Sequence, residues 1–324
     1  MMSKPVLFSS FRPIERAENT RAIYEAYNGP KKLVNFFDPD YRSEVTSGRY
    51  NLMVIDDFPS CTPGKCIVIG HGIHGGKVCG LDQPGTPYYH RRDAKLITYI
   101  ASAGHGSIGM WESASGVPRD RILPLGMPRT DQYIGKQKGD GHTALSGKRA
   151  YLYVPTFRDK GETPLPEVDL DYIDGQLSNG EVFAVKPHPW YYQYVSKQIL
   201  DKQYRHIIAI PGDEPSAPYL YDADVVITDY STIMFDAYLL NKPVVLFEKV
   251  YGYTETRGMY MKYPWEYSSR WAFNEELLMY WLHQKELKLT SIEADCKLTV
   301  ADMCDGHACE RICKLIDRLN GGEL

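Results

Sequence analysis

Short, continuous apolar runs alternate with amphipathic stretches along the whole chain. In the first half the runs predict strands at PVLFS (5–9), LVNFF (33–37), NLMVID (51–56), CIVIG (66–70), KLITYIA (95–101) and RILPLG (121–126). In the second half they predict strands at AYLYVP (150–155), EVFAVK (181–186), RHIIAI (205–210), DVVIT (224–228) and PVVLF (243–247). Runs that are apolar throughout, without alternation, are typical of parallel strands buried on both faces.

Helical patterns lie between these runs, for example NTRAIYEAY (19–27) and HGSIGMWESAS (105–115). Near the C-terminus, DGHACERICKLIDRL predicts a closing helix with one apolar stripe, made of Ile312, Leu315, Ile316 and Leu319. Strands alternating with helices indicate βαβ units, so we expect an α/β fold with open parallel sheets.

The stretch GKQKGDGHTALSGKR (135–149) is polar and Gly-rich and has no periodicity, which predicts a linker. It divides the candidate strands into two sets. We therefore expect two Rossmann-like domains, residues 1–140 and 141–324, facing each other across a cleft. The C-terminal helix is the element that we allow to pack back on the first domain.

Composition narrows the class of protein. A length of 324 residues favours roughly two domains. The net charge of −4 and a pI of about 6.2 give no cationic field for nucleic acid, so a nucleic-acid partner is not indicated. No apolar run approaches the ~20 residues of a membrane span, and the N-terminal apolar stretch is too short for a signal peptide. We therefore expect a cytoplasmic protein.

Seven cysteines without a paired CxxC spacing argue against a disulfide framework. Three of them lie close together near the C-terminus with a histidine, as Cys304, His307, Cys309 and Cys313. We favour buried small side chains there over a metal site.

A polar cluster follows the run DVVIT, where Thr228 and Asp229 are succeeded by Ser231 and Thr232. Ligands of open α/β sheets bind beyond the carboxyl ends of the strands. A helix starting near Ser231 would offer free N–H groups, and the two hydroxyls would add donors, which suits a phosphate. The alternative is that Asp229 or Ser231 merely caps the helix.

A second cluster, VKPHPW (185–190), places Lys186 and His188 after another apolar run, between stiffening prolines. Both side chains offer donors to a phosphate. The alternative is a surface loop that happens to carry a histidine.

The third cluster is IGHGIHGGK (69–77), with His71 and His74 among glycines. Histidine is the side chain best suited to proton transfer near neutral pH. A metal is the weaker interpretation, because the segment has no HExxH frame and no nearby carboxylate.

Two further segments carry arginines, VPTFRD (154–159) with Arg158 and YTETRGMY (253–260) with Arg257. A guanidinium fork suits phosphate oxygens, although a surface ion pair is the commoner fate of an arginine. Five donor-rich loops thus follow apolar runs, and four belong to the second half. This arrangement predicts a diphosphate held by the C-terminal domain, with a histidine presented by the N-terminal domain.

These motifs resemble those of the CDP-glycerol glycerophosphotransferase family, the teichoic-acid primases and polymerases. ADVVITDYSTIMFDAYLLNKPVVLFEKVYGYTETRGMY is similar to the family's Thr-Asp-Tyr-Ser segment with its following Phe-Asp, Pro and Arg-Gly-x-Tyr. HGIHGGK resembles its His-Gly-Thr-Pro-Leu-Lys element, with His71 and Lys77 at the matching positions, and PLGMPRTD resembles Gly-x-Pro-Arg-x-Asp. The resemblance extends in order over nearly the whole chain, through VPTFRD, VKPHP, DGHACER and LFSSFRPIERAENTRAIYEAY.

The resemblance implies a GT-B fold and a transferase that moves glycerol or ribitol phosphate from a CDP-alditol to an acceptor hydroxyl, releasing CMP. His71 would be the general base and His188 would stabilise the pyrophosphate. The donor phosphates or nucleotide would contact Arg158, Arg257, Ser231 and Thr232, while Lys77 and Arg129 would lie on the acceptor side. No cofactor is implied; Mg²⁺ is compatible with a diphosphate but no ligand cluster indicates it.

The sequence departs from the family pattern beside His71, because Gly70 replaces the usual tryptophan and Ile73-His74-Gly75-Gly76 replaces Thr-Pro-Leu. His74 therefore stays an alternative base. The acceptor would be a polyol phosphate or a glycan, and members acting on lipid-linked polymers attach to the membrane surface, so peripheral contact with the inner membrane face stays open. The other functions considered are a GT-B glycosyltransferase using a nucleotide sugar and a non-catalytic nucleotide- or glycan-binding protein.

Overall fold

The computed structural model describes residues 4–73, 94–156, 168–189, 191–249 and 258–321. The chain divides into two compact units. The first unit comprises Met1–Ile134 together with Leu298–Leu324, and the second comprises Gly135–Lys297. Each unit is built around its own parallel sheet.

The first sheet has six strands among the described residues, in the order β2-β1-β3-β4-β5-β6. Their bounds are Val6–Ser10 (β1), Lys31–Asn35 (β2), Leu52–Ile55 (β3), Lys65–Val68 (β4), Tyr99–Ser102 (β5) and Ile122–Pro124 (β6). Every neighbouring pair is parallel. The chain order reverses between β1 and β3, which is the switch point where ligands of such sheets bind.

Helices cover both faces of the first sheet. They are Glu18–Ala26 (α1), Tyr41–Val45 (α2) and Ile108–Ser115 (α3). Because side chains of a strand alternate between faces, Val6 and Phe8 pack with Ile23 of α1 on one face, while Leu7 packs on the other face with Trp111 of α3.

The second sheet also has six described strands, in the order β12-β11-β10-β7-β8-β9, all parallel. Their bounds are Arg149–Tyr153 (β7), Glu181–Val185 (β8), Ile207–Ala209 (β9), Val225–Thr228 (β10), Val244–Phe247 (β11) and Trp271–Ala272 (β12). This is the order of a dinucleotide-binding Rossmann sheet, with its switch point between β7 and β10.

The second unit's helices are Leu170–Gln176 (α4), Tyr192–Lys202 (α5), Ala217–Asp222 (α6), Ile233–Leu239 (α7) and Glu275–Leu282 (α8). Two of them begin at side-chain caps, since Asp169 accepts from the Tyr172 N–H and Asn274 accepts from the Leu277 N–H. The helix Ser291–Ala301 (α9) follows, and the boundary between the two units falls within it.

The final helix, Ala308–Gly321 (α10), packs on the first sheet. Its predicted stripe is confirmed, because Ile312, Leu315, Ile316 and Leu319 are buried beside Val6 and Phe8. The Asp131 carboxylate, which is distant in sequence, caps the first turn of this helix. It accepts hydrogen bonds from the N–H groups of Ala308 and Cys309, at 3.0 and 2.8 Å.

Residues 135–148 of the Gly-rich segment form neither strand nor α-helix, as the lack of periodicity predicts, and Arg149 begins β7. A buried carboxylate anchors the segment. Asp222, at the end of α6, accepts from the backbone N–H groups of Gly139, Gly141 and Thr143 and from the hydroxyls of Thr143 and Ser146. The five distances run from 2.6 to 3.1 Å. The segment is therefore an anchored loop of the second unit as well as a connection.

Candidate active site

The polar cluster after β10 lies at the switch point of the second sheet. Thr228 ends β10, and its hydroxyl donates to the Val154 carbonyl just after β7, at 2.6 Å. The buried Asp229 carboxylate accepts from the Thr156 N–H at 3.1 Å and from the Thr156 hydroxyl at 2.6 Å. These bonds join the loops that follow two adjacent strands and so form the floor of the predicted phosphate site.

The capping alternative for Asp229 is wrong, because α7 has Thr232 at its N-cap and the Asp229 carboxylate faces Thr156. Ser231 does make a hydrogen bond of the capping kind, although a long one. Its Oγ accepts from the Ile233 N–H at 3.4 Å. Thr232 makes no side-chain capping bond. Ser231 and Thr232 are both partly exposed and follow β10 at its carboxyl end.

Lys186 follows β8 and is buried at 6% exposure. Its ammonium donates to the backbone carbonyls of Pro211 and Glu214, at 3.1 and 2.7 Å. The lysine therefore holds the loop after β9 against the loop after β8. Sequence reasoning gave Lys186 a phosphate role alone and missed this one, because its partners are carbonyls that no pattern marks.

His188 lies in the same loop after β8 and is partly exposed. The Tyr191 N–H donates to its carbonyl at 2.8 Å, and the imidazole meets the Tyr191 ring edge-on with centroids 6.5 Å apart. Beneath the loop, a Cβ at Gly212 would lie 2.7 Å from the Pro189 Cα, so the two loops are in close backbone contact. His188 therefore lies in a loop that is fixed by these contacts, at the same carboxyl edge of the second sheet as Ser231.

His71 follows β4 at the carboxyl edge of the first sheet and is partly exposed. Gly70 before it has a φ of +63°, the left-handed region that favours glycine. A Cβ there would also lie 3.0 Å from the Trp111 ring. The left-handed backbone and the close approach of Trp111 therefore favour glycine at position 70.

Arg129 contacts the His71 loop directly. Its Nη1 donates to the His71 carbonyl at 2.6 Å and lies 3.9 Å from the Glu18 carboxylate, and the residue is 9% exposed. The structure thus brings two predicted site residues together in the first unit. The guanidinium contacts backbone here, a role that the motif alone did not suggest.

A buried carboxylate at the first sheet's switch point was missed by sequence reasoning. Asp56, after β3, accepts from the Ser10 hydroxyl at 2.7 Å and the Phe11 N–H at 3.2 Å, and lies 3.9 Å from Arg12 Nη1. Burial raises the pKa of Asp56 more than Arg12 and the Ser10 hydrogen bond lower it. Asp56 joins the loops after β1 and β3 as Asp229 joins those after β7 and β10.

Four predicted site residues lie outside the described residues, namely His74, Lys77, Arg158 and Arg257. Their roles stay predictions. The remaining candidates divide between two sheet edges, with His71 and Arg129 in the first unit and the phosphate-binding candidates in the second.

The profile of the family described as CDP-Glycerol:Poly(glycerophosphate) glycerophosphotransferase matches residues 45–318. The chain belongs to this family. The match covers most of both units and includes every site residue discussed above except those before position 45.

Named relatives of this chain are teichoic acid polymerases and primases. It is 25% identical over 304 residues to the teichoic acid poly(ribitol-phosphate) polymerase of Bacillus spizizenii, covering 81% of this chain and 48% of that protein. It is 28% identical over 229 residues to the teichoic acid glycerol-phosphate primase of Bacillus subtilis, covering 66% and 58%. The chain thus spans about half the length of the curated relatives it matches.

Solved structures confirm the GT-B type of fold with its two Rossmann-like domains. A variant of the wall teichoic acid polymerase TagF superposes with a TM-score of 0.77 at 19% identity, covering 99% of this chain and 90% of that one. Another TagF variant, soaked with CDPG, superposes with a TM-score of 0.75 at the same identity and covers 99% and 89%.

In the part of the chain that the structure describes, no group of three or more His, Cys, Asp or Glu side chains is placed to hold a metal ion. Cys304 and Cys309 instead direct their thiols at the carbonyls of Ala103 and Pro128. The six described cysteines are free thiols. Among the same described residues, no helix is both long and apolar enough to cross a membrane.

A pocket of about 550 Å³ lies elsewhere, at the amino ends of β7 and β10. Its lining includes Lys148, Arg149 and an ion pair in which Lys138 Nζ lies 2.6 Å from Asp224. Ligands of parallel sheets bind at the opposite edge. We therefore place the candidate site at the carboxyl edges and not in this pocket.

Proposed function

We propose that this chain transfers glycerol phosphate or ribitol phosphate from a CDP-alditol to a hydroxyl of a polyol phosphate acceptor, releasing CMP. Membership of the glycerophosphotransferase family supports the reaction class. The observation that carries the assignment of the donor site is the cluster at the switch point between β7 and β10, where Asp229 fixes the Thr156 loop beside the partly exposed residues Ser231 and Thr232.

In the proposed reaction, His71 accepts the proton of the acceptor hydroxyl. The acceptor oxygen attacks the β-phosphorus and forms the new phosphodiester bond, while the bond from that phosphorus to the bridging oxygen breaks. CMP departs with the electron pair. Negative charge develops on the phosphate oxygens, and donors held at fixed positions lower the barrier because they need no reorganisation as the charge appears.

His188 and the hydroxyls of Ser231 and Thr232 are the donors that we assign to this charge. The braces beneath them support the assignment: Asp229 holds the loop after β7, and Lys186 holds the loop after β9. A fixed donor loses little conformational entropy on binding, so these braces favour tight contact with a diphosphate.

The reaction is tested by incubating the purified chain with CDP-glycerol, CDP-ribitol and a panel of UDP-sugars, each with a polyol phosphate acceptor and with or without Mg²⁺. We expect acceptor-dependent release of CMP from one CDP-alditol. Release of UDP from a UDP-sugar, with none of CMP, would instead identify a nucleotide-sugar glycosyltransferase.

Replacing Ser231 and Thr232 together by alanine is expected to weaken donor binding by about 10- to 100-fold, because each hydrogen bond contributes a net ~0.5–1.5 kcal/mol and the variant loses two of them. The dissociation constant of the CDP-alditol, measured by calorimetry, is the readout. Ser196→Ala is the control, since Ser196 is a partly exposed serine of α5 whose hydroxyl donates to the Gln193 carbonyl of the same helix at 3.3 Å. Unchanged affinity in the double variant would mean that the two hydroxyls serve the turn before α7 alone.

A further inference from the structure

The loop that carries His71 is held by a buried amide from α1. Asn19 is 2% exposed, and its Nδ2 donates to the Gly70 carbonyl at 3.0 Å. Its Oδ1 accepts from the backbone N–H of Arg129 at 2.9 Å. One side chain therefore ties the segment after β4 to the segment after β6.

Arg129 completes the same brace from the other side. Its Nη1 donates to the His71 carbonyl at 2.6 Å. The two peptide carbonyls that flank His71 are therefore both hydrogen-bonded by side chains. The Gly70 carbonyl accepts from Asn19, and the His71 carbonyl accepts from Arg129. Because Gly70 is also packed against Trp111, little freedom is left in the backbone from which the imidazole projects.

We propose that Asn19 is a positioning residue for His71, fixing the peptide that precedes the imidazole. The proposal rests on the proposed function, in which His71 accepts the acceptor proton. A general base has to lie within hydrogen-bond reach of that proton, and a displacement of about 1 Å at a reacting group can lower the rate by roughly 100-fold. Asn19 itself contacts backbone, not the imidazole, so its effect on the reaction passes through the Gly70 peptide.

The informative variant is Asn19→Asp. Aspartate has nearly the same shape and keeps an oxygen for the Arg129 N–H, but it replaces the amide donor by an acceptor opposite the Gly70 carbonyl. The two oxygens repel, so the peptide before His71 moves. We expect kcat for CMP release to fall by about 10- to 100-fold. The dissociation constant of the donor should change less than about two-fold, since the donor-site candidates belong to the second unit.

Thr20→Val is the matched control. Thr20 is the next residue of α1, is fully buried, and donates its hydroxyl to the Ser9 carbonyl at 3.3 Å. Valine has the same shape without the hydroxyl, so this variant also loses one buried hydrogen bond of the same helix. We expect it to lower the melting temperature by a few degrees while leaving kcat unchanged.

A readout independent of turnover separates the proposal from the proposed function. Ring resonances of His71, assigned by comparison with a His71→Ala sample, should shift in Asn19→Asp and stay in place in Thr20→Val. If the wild type releases no CMP but these resonances shift in Asn19→Asp alone, the proposed function fails and the positioning role stands. If Asn19→Asp does not fold, Asn19→Ala, which removes the amide without adding a charge, takes its place.

Either of two results would overturn the positioning role. The first, where the wild type releases CMP, is a kcat in the Asn19 variant that falls no further than in Thr20→Val. The second is a set of His71 ring resonances that the Asn19 variant leaves unmoved.

Discussion

Replacing His71 by alanine is expected to lower kcat for CMP release by about 10²- to 10⁴-fold, because general base catalysis by a positioned imidazole contributes an effect of that size. The fold should survive, since the brace from Asn19 and Arg129 binds the carbonyls of residues 70 and 71, which alanine retains. Donor affinity should stay near the wild-type value. The measurements are steady-state CMP release and calorimetric titration of the CDP-alditol.

A second histidine of the first unit provides the control. His105 follows β5 at the same edge of the sheet, but its Nδ1 is 2.7 Å from the Asp302 carboxylate, in an exposed contact. His105→Ala is expected to keep full activity. If His71→Ala also keeps full activity, His71 is not the general base. His74 is then the remaining candidate, and His74→Ala is expected to abolish turnover.

The central residues of the strands were predictable from the sequence because they form continuous apolar runs. The residues at which the strands begin and end were not predictable in this way. CIVIG predicted a strand over 66–70, whereas β4 ends at Val68, because Gly70 adopts a left-handed conformation beneath Trp111. KLITYIA predicted a strand from residue 95, but residues Ala94–Leu96 form a 3₁₀ turn and β5 starts at Tyr99. The two-residue β12 is too short to produce any pattern.

The edge on which the site residues lie was also predictable. Parallel strands end on one edge of a sheet, so polar residues that follow several apolar runs gather there. What each side chain does at that edge was not predictable from the residue type. Lys186 suits a phosphate as well as a carbonyl, and only the fold shows that carbonyls 25 and 28 residues later accept its hydrogen bonds.

A buried aspartate forms the same pattern of hydrogen bonds at the switch point of each sheet. In each, a buried aspartate one residue after a strand accepts from an N–H and a hydroxyl at the carboxyl end of the neighbouring strand. Asp56 accepts from Ser10 and Phe11, and Asp229 accepts from Thr156. A hydroxyl and an aspartate separated by 46 and 73 positions give no local signal. These hydrogen bonds stabilise the loops at the carboxyl edge of each sheet. The two carboxylates therefore have a structural role at the switch points.

Asp222→Ala is expected to destabilise the second unit by about 3 kcal/mol, because it leaves three backbone N–H groups and two hydroxyls without their acceptor. In a unit of this size that corresponds to a melting temperature lower by about 6–12 °C. Burial raises the pKa of Asp222, but the hydrogen bonds from Thr143 and Ser146 outweigh it and the net pKa is lowered. Thermal unfolding at a series of pH values is the measurement.

The sign of the pH dependence follows from that lowered pKa. A carboxyl group that is more acidic in the folded state contributes its full stability above the unfolded value of about 3.9, and the contribution is lost as pH falls through the folded pKa. The difference between wild type and Asp222→Ala should therefore be constant near neutral pH and shrink below pH ~4. Asp140→Ala, in the same loop, removes one exposed hydrogen bond to the Gln137 N–H and should change stability by less than about 0.5 kcal/mol. A difference between wild type and Asp222→Ala that persists unchanged in acid would show that Asp222 acts through packing and not through its charge.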